Sequence, residues 1–184
     1  MRFALIAALL LFAAPALAQE PVKFPEKIQR TDFQGVIADA GPAYVAGQPS
    51  EAALRDMAAK GVKTVINLRT QREMDNRQQV PYDEAAVAKE LGMTYVHIPL
   101  GGADTPYTPE AVETFAKAFE AANGKVLLHC TVGWRASHMW AAYLVKHKGY
   151  TLEEAKRNAA AINLGSGAGG PIDGFLDATP KPAN

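Results

Sequence analysis

Short apolar segments rich in β-branched residues alternate with segments that carry helix signals along most of this chain. The strand candidates are VKTVINL at 62–68, TYVHI at 94–98 and KVLLH at 125–129. Helix signals lie between and after them, including Thr108-Pro109 and the capping box at 151–154. Strands that alternate with helices are typical of βαβ units. We therefore predict an α/β fold with three layers, α/β/α, around a central and mostly parallel sheet.

The first eighteen residues, MRFALIAALLLFAAPALA, have the pattern of a signal peptide. Arg2 is followed by an apolar run, and small residues precede a cleavage site after Ala18. The uncharged stretch 3–18 is shorter than the roughly 20 residues that a membrane-spanning helix needs. We predict export to the periplasm, with no stable membrane insertion after the signal is cleaved.

Three further segments follow the predicted signal peptide. Residues 19–42 show no clear period and are predicted to form an extended N-terminal arm. Residues 43–165 contain the alternating strands and helices and are predicted to form one domain. Residues 166–184 begin in a glycine-rich stretch and end in a proline-rich one, which predicts a flexible C-terminal tail.

Charge and histidine spacing exclude two functional classes. The chain carries 19 basic and 19 acidic side chains, so it offers no strongly basic face for nucleic acid. The four histidines lack the spacing of metal ligands. We expect no nucleic-acid partner, no metal and no cofactor.

The single cysteine, Cys130, stands in the segment HCTVGWRAS at 129–137. A free cysteine is often an inert core residue. However, Cys130 directly follows the strand 125–129, and ligands bind outside the carboxyl ends of strands in open α/β sheets. Amide groups and the start of the next helix converge there, which stabilises a thiolate and favours a catalytic cysteine.

The residues after Cys130 are suited to binding a tetrahedral oxyanion. Gly133 permits a tight backbone turn, and Arg135 presents a planar fork of donors. We predict that the loop supplies the substrate-binding groups, which are Thr131, Val132, Gly133, Trp134 and Arg135.

The loop resembles the signature of the cysteine-dependent phosphatases with one residue fewer between Cys130 and Arg135. Upstream, GQPS at 47–50 and GVKTVINLR at 61–69, with Glu73 shortly after, make the resemblance more specific. Together with HCTVGWR at 129–135 they resemble the beta-lactamase-hydrolase-like phosphatase family. That family belongs to the dual-specificity-like branch of the tyrosine phosphatase superfold, and its members often have this short loop.

The resemblance implies a mechanism for hydrolysis of a phosphorylated protein or a small phosphomonoester. Cys130 would form a phosphocysteine, Arg135 would hold the phosphoryl oxygens, and His129 would orient the loop. Asp104 lies on the loop after the strand 94–98 and is the candidate general acid, with Glu73 and Asp75 as second choices.

Three other positions have open interpretations. Ala136 stands where related phosphatases usually carry Ser or Thr, which predicts slow hydrolysis of the intermediate, and Ser137 comes one residue later. Trp134 would either stack on an aromatic substrate or pack against the domain. Arg69 would either extend the positive pocket or pair with Glu73 or Asp75.

Two other functions compete with the phosphatase. A rhodanese-like sulfurtransferase also has a strand, a cysteine loop and a helix, commonly with four residues between Cys and Arg, and Cys130 would then carry a persulfide. A non-catalytic module would bind phosphate or sulfate through Arg135 without turnover.

Overall fold

The computed structural model describes residues 21–165 and 170–177. The strands are β1 (Glu26–Lys27), β2 (Ile37–Asp39), β3 (Ala43–Ala46), β4 (Val62–Asn67), β5 (Thr94–His97) and β6 (Lys125–His129). The helices are α1 (Glu51–Ala59), α2 (Gln71–Met74), α3 (Glu84–Glu90), α4 (Pro109–Glu120), α5 (Trp134–Lys148), α6 (Leu152–Ala160) and α7 (Pro171–Phe175).

The six strands form one sheet in the order β1-β2-β3-β6-β4-β5. Strands β3, β6, β4 and β5 pair in parallel with one another, whereas β1 and β2 add an antiparallel edge next to β3. The strand that ends at Cys130 is therefore flanked by a parallel strand on both sides. The predicted α/β fold with a mostly parallel sheet is confirmed.

Apolar side chains cover both faces of the sheet. Along β6, Leu127 packs into one core with helices α1 and α3. Its neighbours Val126 and Leu128 point to the opposite face, where they pack with helices α4, α5, α6 and α7. This alternation follows from the two-residue period of a strand, and it produces the predicted three layers with the sheet in the middle.

Side-chain caps define where several helices begin. The oxygen of Ser50 accepts a hydrogen bond from the amide of Ala53 at 3.1 Å, and Thr108 does the same at the start of α4. Thr151 and Glu154 form a complete capping box at α6. Such a cap contributes about 1 kcal/mol because it pairs amides that have no partner within the helix.

The N-terminal arm includes two strands that the sequence analysis missed. β2 pairs with β3, and its residues Ile37 and Ala38 are buried. The turn between these strands places Gly41 at φ 91°, with its amide bonded to the Asp39 carboxylate. Strands of two and three residues are too short to show a period, so the sequence contained no signal for them.

The prediction of a flexible tail over 166–184 is wrong for the part that the structure describes. Residues 171–175 form α7, which packs against α4 and α5. Ile172 and Phe175 are buried in the same core as α5. The composition of the flanking segments concealed these apolar residues, which stabilise the helix through tertiary contacts.

The predicted signal peptide, 1–18, lies outside the described residues, as do 166–169 and 178–184 of the predicted tail. In the stretches 21–165 and 170–177, no helix has the length and apolar character needed to cross a membrane.

Candidate active site

Cys130 lies at the carboxyl end of the central strand, between β6 and α5. It is 1% exposed, and its amide donates a hydrogen bond to the carbonyl of Ala46 at 3.2 Å. Gly133 then turns the chain into α5 with φ 90°, and a Cβ there would lie 2.6 Å from Cγ2 of Val36. The close approach and the left-handed backbone both require glycine.

The outer side of the loop is held by the rest of the domain. The amide of Gln48 donates to the carbonyl of Thr131 at 2.9 Å, and Asn163 Nδ2 donates to the carbonyl of Val132 at 2.9 Å. In a trans peptide the N–H points opposite to the C=O. The amides of Val132 and Gly133, which follow these carbonyls, are therefore directed away from Gln48 and Asn163.

Arg135 is fixed by five hydrogen bonds from its two terminal nitrogens. Nη1 donates to the carbonyls of Leu68 at 3.1 Å and Leu100 at 2.6 Å. Both nitrogens also bind the carboxylate of Glu73, at 2.9 and 2.5 Å, and Nη2 donates to Thr131 Oγ1 at 2.9 Å. The guanidinium therefore has one orientation beside the loop that Cys130 begins.

Glu73 joins the loop to helix α2. One oxygen accepts from Thr131 Oγ1 at 2.7 Å, and the other accepts from the amide of Thr70 at 2.8 Å in the capping box of α2. Burial alone would raise the pKa of Glu73, but hydrogen bonds from Arg135 and Thr131 lower this pKa to about 2. A group with that pKa is ionised at neutral pH, so Glu73 is the counter-ion of Arg135 rather than a proton donor.

His129 pairs with a carboxylate that the sequence analysis did not identify. Its Nε2 lies 2.8 Å from Glu84 Oε1, and both side chains are fully buried. Glu84 also accepts hydrogen bonds from Tyr82 Oη at 3.2 Å and from Gln48. Burial raises the pKa of Glu84, yet His129 and these donors produce a net lowering. A first-turn acid in a helix normally indicates only a favourable dipole contact, so the sequence contained no signal for this pair.

Arg69 is a buried structural residue. Its terminal nitrogens donate to Gln48 Oε1 at 2.8 Å and Gln79 Oε1 at 3.0 Å, and Nε lies 3.9 Å from Glu73 Oε1. Burial lowers the pKa of Arg69. The side chain does not line the cavity beside Arg135, and of the two interpretations of Arg69 the ion pair with Glu73 is the one present.

A cavity of about 690 Å³ opens beside Arg135. Its walls come from α2, from the loop after β5 and from the start of α5. The lining residues are Thr70, Arg72, Glu73, Gly101, Gly102, Ala103, Asp104, Thr105, Tyr107 and Arg135. The candidate acid Asp104 is thus exposed on the wall of the same cavity that Arg135 enters. Asp75 lies elsewhere, where it accepts a hydrogen bond from Gln71.

Trp134 does not line this cavity. Its Nε1 donates to the carbonyl of Leu164 at 3.1 Å, and its ring meets that of His138 edge-on with centroids 5.0 Å apart. Of the two interpretations of this residue, packing against the domain is the one present. The aromatic side chain in the cavity wall is instead Tyr107, which the sequence analysis did not identify.

The hydroxyl groups near Arg135 are also arranged differently from the usual pattern. Ala136 is fully buried, and Ser137 Oγ donates to the carbonyl of Gly133 at 2.7 Å inside helix α5. The hydroxyl that reaches Arg135 is that of Thr131. Ser137 therefore cannot replace the missing hydroxyl at 136 without breaking a buried hydrogen bond.

A cysteine that ends the central strand, a short loop and an arginine on the next helix define a cysteine phosphatase-like fold. The model of the family "Beta-lactamase hydrolase-like protein, phosphatase-like domain" matches residues 32–145. The chain belongs to this family, which confirms the resemblance seen in the sequence.

Curated relatives carry the same family description. The beta-lactamase hydrolase-like protein of Xylella fastidiosa (strain Temecula1) is 32% identical over 97 residues, which are 53% of this chain and 22% of that protein. The homologue from Agrobacterium fabrum (strain C58) is 36% identical over 93 residues, or 50% of this chain and 21% of that protein. The match thus spans about a fifth of the length of these relatives.

Solved structures show the same fold at low sequence identity. A DUF442 protein of Shewanella putrefaciens CN-32 has a TM-score of 0.60 and 23% identity, and the match covers 79% of this chain and 91% of that one. Tk-PTP in its active form has a TM-score of 0.61 at 21% identity, covering 74% and 89%. P. aeruginosa TpbA, solved as a cysteine-to-serine variant with phosphotyrosine, has a TM-score of 0.55 at 19% identity, covering 91% and 98%.

Proposed function

We propose that this chain is a cysteine-dependent phosphatase that hydrolyses phosphomonoesters through a phosphocysteine on Cys130. The observation that carries this proposal is the junction of β6 and α5. There, Cys130 begins the loop that leads to Arg135, and Arg135, held by Glu73, lines a cavity whose wall also contains Asp104. The family membership supports the same reaction class, and the phosphotyrosine bound to TpbA illustrates the kind of substrate.

The first chemical step transfers the phosphoryl group to sulfur. The Cys130 thiolate attacks phosphorus, an S–P bond forms, and the P–O bond to the leaving group breaks. Asp104 donates a proton to the departing oxygen, which leaves as an alcohol or phenol. Arg135 and the loop amides stabilise the negative charge on the phosphoryl oxygens.

The second step regenerates the enzyme. Water attacks the phosphocysteine, the Asp104 carboxylate takes up a proton from that water, and inorganic phosphate leaves as the Cys130 thiolate is restored. Because Ala136 supplies no hydroxyl and that of Ser137 is bonded within the helix, we expect this step to be slow.

The proposed role of His129 is to position the loop. It ends β6 immediately before Cys130, and Glu84 holds its ring from the core side. We propose that this buried pair fixes the peptide on which Cys130 is placed.

The short loop between Cys130 and Arg135 favours one rival, a sulfurtransferase that carries a persulfide on Cys130. The deciding experiment incubates the protein with an aryl phosphate or with thiosulfate and then measures the intact mass. We expect an added phosphoryl group on the wild type, an initial burst of product, and neither in Cys130→Ser.

The other outcomes are equally clear. An added sulfur atom, with transfer to cyanide, would replace the phosphatase by the sulfurtransferase. Phosphate binding without an adduct or product would indicate a non-catalytic module, and turnover without a burst would contradict slow hydrolysis of the intermediate.

We also propose that the protein is exported and works in the periplasm. The support is the charged start, apolar run and small residues of 1–18. Expression of the full chain with its leader should yield periplasmic protein that begins at Gln19. Protein that keeps Met1 and stays associated with the membrane would contradict the proposal.

A further inference from the structure

Tyr107 is the one aromatic residue among those that line the cavity beside Arg135 in the part of the chain that the structure describes. The other lining residues are small, polar or charged. For a substrate whose phosphate binds Arg135, the broad apolar surface within this cavity is therefore the half-buried ring of Tyr107.

The phenol group lies close to the proposed catalytic centre. A Cβ at Gly101, which has φ 95°, would lie 2.7 Å from Tyr107 Oη and 3.5 Å from both Cδ and Nη1 of Arg135. Only glycine at 101 leaves room for this arrangement. Burial raises the pKa of Tyr107, and the charges of Arg135 and Cys130 also act on the phenol, so it is neutral at physiological pH.

Helix α7 packs against the ring of Tyr107. Phe175 meets Tyr107 edge-on with ring centroids 5.4 Å apart. A Cβ on Gly174 would lie 2.5 Å from the carbonyl oxygen of Tyr107 and 3.0 Å from its Cβ. Since Phe175 is fully buried, the contact is part of the core. The match to the family model covers residues 32–145, so α7 lies outside the matched residues.

We infer that Tyr107 is a specificity-determining residue whose ring forms the wall for an aryl leaving group, and that α7 positions it. The inference rests on the proposed phosphatase function and specifies its substrate class as aryl phosphates over alkyl phosphates. Aromatic pairs stabilise a complex beyond the area that they bury. We expect this contact to change aryl affinity about three- to tenfold.

Binding to the Cys130→Ser protein tests the inference without requiring turnover. The probes are phosphotyrosine and phosphoserine, each titrated by calorimetry. Adding Tyr107→Leu should weaken phosphotyrosine binding about three- to tenfold and leave phosphoserine binding unchanged. Tyr107→Phe keeps the ring and should retain the preference. In the active protein, the leucine variant should raise KM for the aryl substrate more than it lowers kcat.

Gly174→Ala provides a second test that leaves Tyr107 intact. The backbone at 174 is not left-handed, and the nearest atoms that the added methyl group would meet all belong to Tyr107. We expect the same loss of aryl preference, to a smaller extent. Ala160→Ser, exposed at the end of α6, is the matched control and should change neither probe.

The inference fails if Tyr107→Leu weakens both probes equally, or neither, while the variant remains folded by near-ultraviolet circular dichroism. Failure of this inference is distinguishable from failure of the proposed function. An active phosphocysteine enzyme without this selectivity overturns only the role of Tyr107. Selective binding without any phosphoryl adduct overturns only the catalytic proposal.

Discussion

Glu73 connects the helix α2, the loop and the arginine through a single carboxylate. It accepts from Thr70, Thr131 and Arg135 at distances from 2.5 to 2.9 Å. From the sequence alone, Glu73 is a second-choice general acid, because an acidic residue near a site can serve several roles. Its environment decides the role, since a carboxylate surrounded by donors remains ionised.

Replacing Glu73 with Gln should disturb Arg135 and weaken the fold. We expect kcat/KM to fall about tenfold or more and stability to fall by about 1–3 kcal/mol, because a largely buried cation loses its counter-ion. Urea unfolding and steady-state kinetics measure both. Glu153→Gln, on the exposed face of α6, is the control and should change neither.

The same carboxylate predicts an acid transition. The pKa of Glu73 is lowered from 4.5 to about 2, so its contribution to stability is complete above pH 4.5 and disappears as pH falls toward 2. Stability of the wild type should decrease across that window, and Glu73→Gln should lack that part of the decrease. An identical pH dependence in the two proteins would refute the role of the ion pair.

The buried pair of Glu84 and His129 makes a separate prediction. Glu84→Ala should reduce stability by about 3–5 kcal/mol, because it removes the buried partner of His129 Nε2 and one hydrogen bond each from Tyr82 and Gln48. Glu90→Ala on the same helix removes only a surface pair with Arg55 and should change stability by less than about 1 kcal/mol. Equal effects of the two substitutions in urea unfolding would disprove this.

Asp104 is the proposed general acid, and its pH profile tests the assignment. Catalysis by a general acid gives the pH–rate profile a basic limb. Asp104→Asn should remove this basic limb and lower kcat about 10²-fold or more. Asp75→Asn, which lies outside the cavity that Arg135 lines, should keep the full profile. If Asp104→Asn retains the basic limb, another group donates the proton.

Among the elements, the junction between β6 and α5 carries the strictest steric requirement. Gly133→Ala should reduce stability by about 1–3 kcal/mol and abolish most activity, because its Cβ meets Val36 and its φ is 90°. Gly149→Ala at the other end of α5 has φ 71° but nothing within 4 Å of the added atom. It should weaken stability by about 1 kcal/mol and leave kcat unchanged. Loss of activity in both variants would show that the effect comes from α5 stability alone.

The elements differ in how well sequence analysis could predict them. Strands β4, β5 and β6 were predicted within one residue of their ends, because each is a short segment rich in apolar or β-branched residues between helix and turn signals. Strands β1 and β2 and helix α7 were missed. Each has at most five residues and depends on contacts with distant segments, which no local period can show.

For the molecule as a whole, the C-terminal helix is part of the main core. Phe175→Ala should reduce stability by about 3–5 kcal/mol, the range for a fully buried Phe, and lower the urea midpoint without splitting the transition. Phe24→Ala, at a side chain that is 63% exposed, should change stability by less than about 0.5 kcal/mol. A separate early transition in Phe175→Ala would mean that α7 is an independent unit.

The amino-acid sequence by itself determined the α/β class and the family, and it indicated Cys130 and Arg135 as the residues of the proposed site. These follow from local order along the chain, namely apolar runs, glycines at turns and residues at strand ends. Only the tertiary structure decided that Glu73 neutralises Arg135 and that Glu84 pairs with His129. It also decided that Tyr107, and not Trp134, is the aromatic residue in the cavity wall. Those contacts join residues 30 or more positions apart. Their energies depend on burial and distance, which a linear pattern does not contain.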